Sequence, residues 1–203
     1  MTNSKRPLIT TDRLNLIIAI CAILISGASF YATYLQAISA EKQVQAITFP
    51  LLQFAHDNYD QDQNLRAIDF KLRNTGVGPA VIHTIKLEYL DREYSNLTDL
   101  FISCCDSEYQ DYRSALQDIS QDNFDPFQGG MVTDSLRNVT LAGQSEYLFL
   151  RLYHGQLSSS FWQKLDRERS RITLKSCYCT LLGECFENVG NIELNEVSSC
   201  PAQ

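Results

Sequence analysis

The feature that most constrains this chain is an uncharged apolar stretch near its N-terminus. Leu14 to Leu35 reads LNLIIAICAILISGASFYATYL, and no charged residue occurs between Leu14 and Ala40. A helix rises about 1.5 Å per residue, so these 22 residues can cross about 30 Å of hydrocarbon. A helix also satisfies its own backbone polar groups, as lipid requires. We therefore predict a transmembrane helix over residues 14–35.

Two other kinds of segment share this apolar character. A buried core helix normally carries a polar stripe, which this stretch lacks. A cleaved signal peptide has an apolar region of only about 7 to 15 residues before a small-residue cleavage site. A cut after Ala40 would place Ile38 where a small residue is required. We therefore expect an uncleaved signal-anchor in a single-pass protein.

The charges that flank the span predict its orientation. Three basic residues and one acid precede it, whereas Glu41 and Lys42 cancel each other just after it. Positive charge is retained on the cytoplasmic side of membranes. We expect residues 1–13 to be a basic leader in the cytoplasm and the span to lie in the inner (cell) membrane. The C-terminal part would then be periplasmic or extracellular.

The rest of the chain has the length of one domain. Residues 36–47 continue the helical pattern as a stalk, and residues 48–203 are enough for one domain with a real core. The chain has 17 basic and 24 acidic residues, so removing the three basic residues and the acid before the span leaves a net charge of −9. This field repels phosphate and argues against nucleic acid as a partner.

Short alternating segments separated by turns indicate a mainly β domain. Strands are predicted at 48–55, 65–73, 81–90, 138–142, 145–153, 171–181 and 185–189. Helical inserts are predicted at 108–119 and 157–169, the second with Trp162 and Leu165 facing inward, and residues 122–135 form a loop. This pattern favours an antiparallel, immunoglobulin-like β-sandwich with one or two short helical inserts; a small α+β domain is the alternative.

The loop Asn74 to Ala80, NTGVGPA, is predicted to be a turn between strands. Its glycines allow backbone angles closed to other residues, and Pro79 removes a donor where a strand begins. A phosphate-binding loop would need a different glycine spacing and a following helix.

Three segments resemble a known set of proteins. SAEKQVQAITFP, RNTGVGPA and CYCTLLGEC are similar to segments of uncharacterised bacterial single-pass membrane-anchored proteins with a β-sandwich outer domain. The resemblance covers most of the chain and implies that fold, but no activity is assigned to the set.

Six of the seven cysteines follow the span, an even number that suits an oxidising compartment. The candidate disulfide cysteines are Cys104, Cys105, Cys177, Cys179, Cys185 and Cys200. Cys179 and Cys185 could close a hairpin, whereas the adjacent Cys104 and Cys105 are each expected to bond elsewhere. Free buried thiols remain an alternative. So does zinc held by Cys177, Cys179 and Cys185 with His154 or Cys200, although C-Y-C lacks the usual CxxC spacing.

Other residue types suggest chemistry only weakly. His56, His83 and His154 lie in no recognisable catalytic context, and GxSxG is absent. Asp57, Asp60 and Asp62 could bind calcium, but a solvated turn suits DNYDQD better. We therefore expect no catalytic residue, cofactor or metal.

The sequence favours a membrane-anchored, non-enzymatic binding or scaffold protein. Its β-sandwich would be presented outside the cytoplasm to a protein partner or a second copy, and residues 14–35 would contact lipid. The alternative is a cytoplasm-facing sensor domain of an oligomerising membrane effector, for which small residues four apart in the span would pack helices together.

Overall fold

The structure, a computed structural model, describes residues 11–119, 125–135, 139–190 and 193–201. The chain divides into two compact units, Met1–Ile47 and Thr48–Gln203. Each unit has its own architecture.

The first unit is formed by α1, a helix over Thr11–Thr48 in which no residue is buried. Its 38 residues make it about 57 Å long. It is long and apolar enough to cross a membrane. The predicted span and stalk form one continuous helix, because no proline interrupts it before Pro50.

The second unit, called the body below, is a β-rich α+β fold with two antiparallel sheets. Its helices within the described residues are α2 (Leu97–Gln117) and α3 (Ser159–Glu168), with 3-10 turns at Pro126–Gln128 and Arg169–Arg171. Its strands within the same residues are β1 (Leu52–Asp57), β2 (Ala67–Asn74), β3 (Ala80–Tyr89), β4 (Arg92–Tyr94), β5 (Met131–Thr133), β6 (Thr140–Leu141), β7 (Glu146–Tyr153), β8 (Ile172–Cys179), β9 (Cys185–Val189) and β10 (Glu193–Val197).

The strands form a four-stranded and a six-stranded sheet. The first has the order β1-β2-β7-β5, and the second has the order β10-β9-β8-β3-β4, with β6 paired to the start of β3. The loop between Asn74 and Ala80 carries the chain from the first sheet to the second.

One apolar core joins the sheets and the two helices of the body. Alternation along β2 buries Ile68, Phe70 and Leu72 completely. From the helices, Phe101 of α2 packs edge-on against Phe161 of α3, with 5.1 Å between their ring centroids. Trp162 and Leu165 face inward, as the helical spacing predicted.

Several predicted elements differ from the observed ones. The helix expected at 108–119 begins at Leu97, because the Asn96 side chain accepts a hydrogen bond from the Asp99 N–H and caps it. It buries Phe101, Tyr109 and Tyr112, so it is not confined to the surface.

The observed boundaries of other segments also differ from the predicted ones. The loop expected at 122–135 contains a 3-10 turn and β5, while residues 120–124 lie outside the described part. The strand expected at 138–142 is only β6, and residue 138 also lies outside that part. Alternation over so few residues gave no signal for β4 and β10.

Strand pairing places four segments at one end of the body. Leu52 pairs with Asn74, Ala80 pairs with Leu141, and Cys179 pairs with both Val81 and Cys185. The first body residues, the 75–79 loop, the 142–145 segment and the 180–184 turn therefore share this end, which we call the entry end.

The buried side chain of Asn74 connects these segments. Its Oδ1 accepts hydrogen bonds from the N–H groups of Leu51 and Gly76, each at 3.1 Å. Its Nδ2 donates to the carbonyl oxygens of Gly78 at 2.8 Å and Ala142 at 3.1 Å. One amide thus satisfies backbone groups from three segments.

The glycines beside Asn74 make room for the entering chain. A Cβ on Gly78 would lie 1.8 Å from the carbonyl oxygen of Thr48, and one on Gly76 would lie 2.4 Å from that of Phe49. The N–H groups of Val77 and Gly78 donate to the Phe49 carbonyl at 3.2 and 3.3 Å. The backbone at the start of the body therefore fills the space beside the glycine-rich loop.

We expect Asn74→Ala to lower the free energy of unfolding by about 2 kcal/mol or more, because each buried donor or acceptor left without a partner costs about 1–3 kcal/mol. Chemical denaturation of the full chain in detergent, followed through the fluorescence of its single tryptophan, measures this. Asn195→Ala, on the exposed strand β10, is the control and should change stability little. Equal effects of the two substitutions would contradict the role given to Asn74.

Candidate functional site

A cleft of about 650 Å³ lies beside the six-stranded sheet. Its walls are strands β3 and β8, the start of α2, the β5 region and the C-terminal tail. The lining residues are Thr84, Ile85, Lys86, Glu93, Ser95, Asn96, Leu97, Thr98, Phe101, Tyr109, Met131, Thr133, Asp134, Ser135, Lys175, Ser176, Cys177, Glu187 and Pro201.

Three charged side chains on the sheet side of the cleft, Lys86, Glu93 and Lys175, are paired. Glu93 accepts hydrogen bonds from Lys86 at 2.7 Å and from Lys175 at 2.9 Å. These two bonds lower the pKa of Glu93 to about 2. Lys175 also forms an ion pair with Glu88 at 3.2 Å. These paired side chains therefore offer fixed, mutually compensated charges.

The helix side of the cleft is more apolar. Leu97, Phe101 and Tyr109 come from α2, and Met131 comes from β5. Serine and threonine residues also line the cleft. A surface of this kind can hold a ligand by apolar contact while hydrogen bonds fix its orientation.

The six body cysteines lie in three bonded pairs. The pairs are Cys104 with Cys105, Cys177 with Cys200, and Cys179 with Cys185. The hairpin pair, Cys179 with Cys185, is a candidate that the sequence predicts. Within the described residues only Cys21, in α1, is a free cysteine.

The Cys104–Cys105 bond contradicts the expectation that each would bond elsewhere. Cys105 leaves helical geometry, with φ −149° and ψ 29°, and α2 kinks there. The expectation rested on the strain that a bond between adjacent cysteines would place on the peptide between them. The kink allows the two neighbouring side chains to meet, and both residues are buried.

The other two disulfides are in contact with each other. The Sγ atom of Cys179 lies 3.9 Å from that of Cys200, and the Sγ atoms of Cys179, Cys185 and Cys200 all lie within 4.8 Å of one another. Cys177 and Pro201 also line the cleft. We call Cys177, Cys179, Cys185 and Cys200 the sulfur cluster. Thiolates are the zinc ligands, so this cluster would have to be reduced before it could bind the metal.

The three histidines are dispersed, and the described lining of the cleft contains none of them. His56 Nδ1 lies 2.6 Å from Arg169 Nη1, and Arg169 Nε donates to Asp166 at 2.8 Å. His154 packs edge-on against Trp162 at 4.9 Å, and His83 is exposed. In the described residues the geometry brings no two histidines into one site.

The acidic turn has internal partners. Asp57 forms an ion pair with Lys71 at 3.3 Å, and Asp60 forms one with Arg151 at 2.9 Å. Asp60 Oδ1 also accepts hydrogen bonds from the N–H groups of Asp62 and Gln63. These contacts lower the pKa of Asp60, with the Gln63 N–H contributing most. The arrangement is that of an Asx turn.

Sequence reasoning identified the cysteines of the cluster but missed the cleft. Lys86 and Glu88, two residues apart on β3, indicated a charged outward face. Glu93 and Lys175 come from other strands, and no local sequence pattern indicates that their side chains are in contact.

No protein-family model, curated protein or solved structure matches this chain.

We expect acidification from pH 7 to pH 5 to destabilise the body. The pKa of both His56 and His154 is lowered from 6.5, mainly by burial and to a smaller extent by a nearby arginine. The unfolded chain therefore takes up protons first as the pH falls through 6.5, so stability is complete above that pH and falls as the pH approaches the folded pKa. Chemical denaturation of the full chain in detergent, followed by circular dichroism at each pH, measures the loss.

His56→Gln should lose less stability over this interval than the unaltered chain. His83→Gln, at an exposed position, is the matched control and should keep the full pH dependence. An unchanged pH dependence in His56→Gln would refute the contribution of this histidine.

Proposed function

We propose that this chain is a single-pass, membrane-anchored binding protein that presents its body outside the cytoplasm. The observation that carries the proposal is the combination of an unburied apolar helix with a body whose six cysteines are all paired. Persistent disulfides are typical of oxidising compartments. Positive charge before the span favours the same orientation, with the N-terminus in the cytoplasm of the inner membrane.

The binding surface in this proposal is the cleft. It combines an apolar wall from α2 with ordered charges from the sheet, and the described part of its lining contains no histidine that could serve as a base for a nucleophile. The body's net negative charge disfavours nucleic acids, so a protein or peptide segment is the expected occupant. Two antiparallel sheets around a shared core support an immunoglobulin-like sandwich as the scaffold.

Thiol labelling in isolated membranes tests the compartment. After acid quenching of intact cells, a maleimide added without reductant should label only Cys21, and all seven cysteines should react after reduction. A reporter fused after residue 203 should be active only as an exported enzyme. Labelling of the six body cysteines before reduction, together with a reporter active in the cytoplasm, would replace this proposal with the cytoplasm-facing sensor.

Photo-crosslinking tests the cleft. A crosslinking residue at Ser95 or Thr133, which both line the cleft, should trap one recurrent partner in membranes. The same residue at Asn195, on exposed β10, is the control and should not trap it. If the cleft positions give no adduct, or the same adducts as Asn195, the cleft is not the binding surface.

A further inference from the structure

We infer that the sulfur cluster is a thiol–disulfide exchange site that passes reducing equivalents from a dithiol protein to Cys177 in the cleft. The carrying observation is the 3.9 Å approach between Sγ of Cys179 and Sγ of Cys200, which belong to different disulfides. Exchange requires a thiolate to reach one sulfur of a disulfide. Once Cys179 is released, a disulfide sulfur is already its neighbour.

The proposed entry point for the partner is the Cys179–Cys185 disulfide. Cys185 follows an exposed turn in which Leu181 is 69 % and Leu182 is 58 % exposed. Cys179, the other half of this bond, lies beside Cys200. Cys179 and Cys185 are each 8 % exposed and Cys177 is 3 % exposed, whereas Cys200 is half-buried. Attack at Cys200 would release Cys177 directly, but only attack at Cys185 releases Cys179 beside Cys200 and uses the contact between the two disulfides. The proposed route therefore starts at Cys185, with Cys179 as the leaving sulfur.

The exchange balances in three steps. A partner thiolate attacks Sγ of Cys185, forming a mixed disulfide and releasing Cys179 as a thiolate. The Cys179 thiolate then attacks Sγ of Cys200, forming Cys179–Cys200 and releasing Cys177 as a thiolate, which takes a proton from water.

The second partner thiol, having given its proton to water, then attacks the partner sulfur of the mixed disulfide. The partner leaves with its own disulfide, and Cys185 leaves as a thiolate that is protonated by water. Two electrons have reduced one of the two disulfides, and Cys179–Cys200 is the bond that remains.

The product is directional because the two released thiols lie in different places. Cys185 adjoins the exposed turn, whereas Cys177 lines the cleft. A reducing equivalent taken up at the turn thus appears as a thiol at the cleft wall. Cys104 and Cys105 lie in α2 and form a separate pair that is outside this path.

Limited reduction of the full chain in detergent tests the inference. Dithiothreitol is added at less than one equivalent per chain, the mixture is quenched with acid and alkylated, and disulfides are mapped by mass spectrometry. We expect the major one-disulfide form of the cluster to contain Cys179–Cys200, with Cys177 and Cys185 alkylated. Retention of Cys177–Cys200 with Cys179 and Cys185 alkylated would overturn the inference, and so would retention of Cys179–Cys185 with Cys177 and Cys200 alkylated.

Two single substitutions should converge on the same bond. Cys185→Ala frees Cys179, and Cys177→Ala frees Cys200, so both variants should contain Cys179–Cys200 as their main cluster disulfide. Cys104→Ala is the matched control and should keep both original cluster bonds. If Cys185→Ala instead keeps Cys177–Cys200 and has an alkylated Cys179, no transfer occurs. Should either variant fail to fold by circular dichroism, limited reduction of the unaltered chain decides the question.

Discussion

The buried amide of Asn74 is the interaction on which the body most depends. It lies where the chain enters the body and where it passes from one sheet to the other. Backbone segments approach so closely here that Gly76 and Gly78 have no room for a side chain. Close approach leaves no space for water, so the backbone polar groups need a partner inside the protein. Asn74 suits this position because its short side chain both donates and accepts.

The region around Asn74 also determines which segments of the body lie at the same end. Once Asn74 fixes the crossing between sheets, antiparallel pairing brings the hairpin between β8 and β9 to the entry end. One of the three disulfides follows from that pairing, since Cys179 and Cys185 are opposite each other on neighbouring strands. The position of the amide and the Cys179–Cys185 bond are therefore consequences of one topology.

Local patterns predicted much of this fold. Alternation located the long strands, because each has one buried face, and helical spacing placed Trp162 and Leu165 in the core. The start of α2 was missed because its capping residue, Asn96, is common in turns and gives no periodic signal. The cleft could not be predicted, since Glu93 and Lys175 meet only through the pairing of non-consecutive strands. The Cys104–Cys105 bond required a break in helical geometry that the surrounding residue types do not announce.

The disulfides differ in what they can contribute to stability. A cross-link stabilises chiefly by restricting the unfolded chain, and more so for longer loops. Cys177 and Cys200 are 23 residues apart, whereas Cys104 and Cys105 are adjacent and close no loop. The adjacent pair therefore acts locally, at the kink of a helix whose residues Phe101 and Tyr109 line the cleft.

Loop lengths also bear on exchange within the sulfur cluster. Replacing Cys177–Cys200, with a separation of 23 residues, by Cys179–Cys200, with a separation of 21, changes the closed loop by only two residues. Because loop entropy varies with the logarithm of length, the difference is about 0.1 kcal/mol or less. Chain entropy therefore gives almost no preference between the two bonds. Any preference must therefore come from packing around the sulfur atoms, where Sγ of Cys179 lies 3.9 Å from Sγ of Cys200.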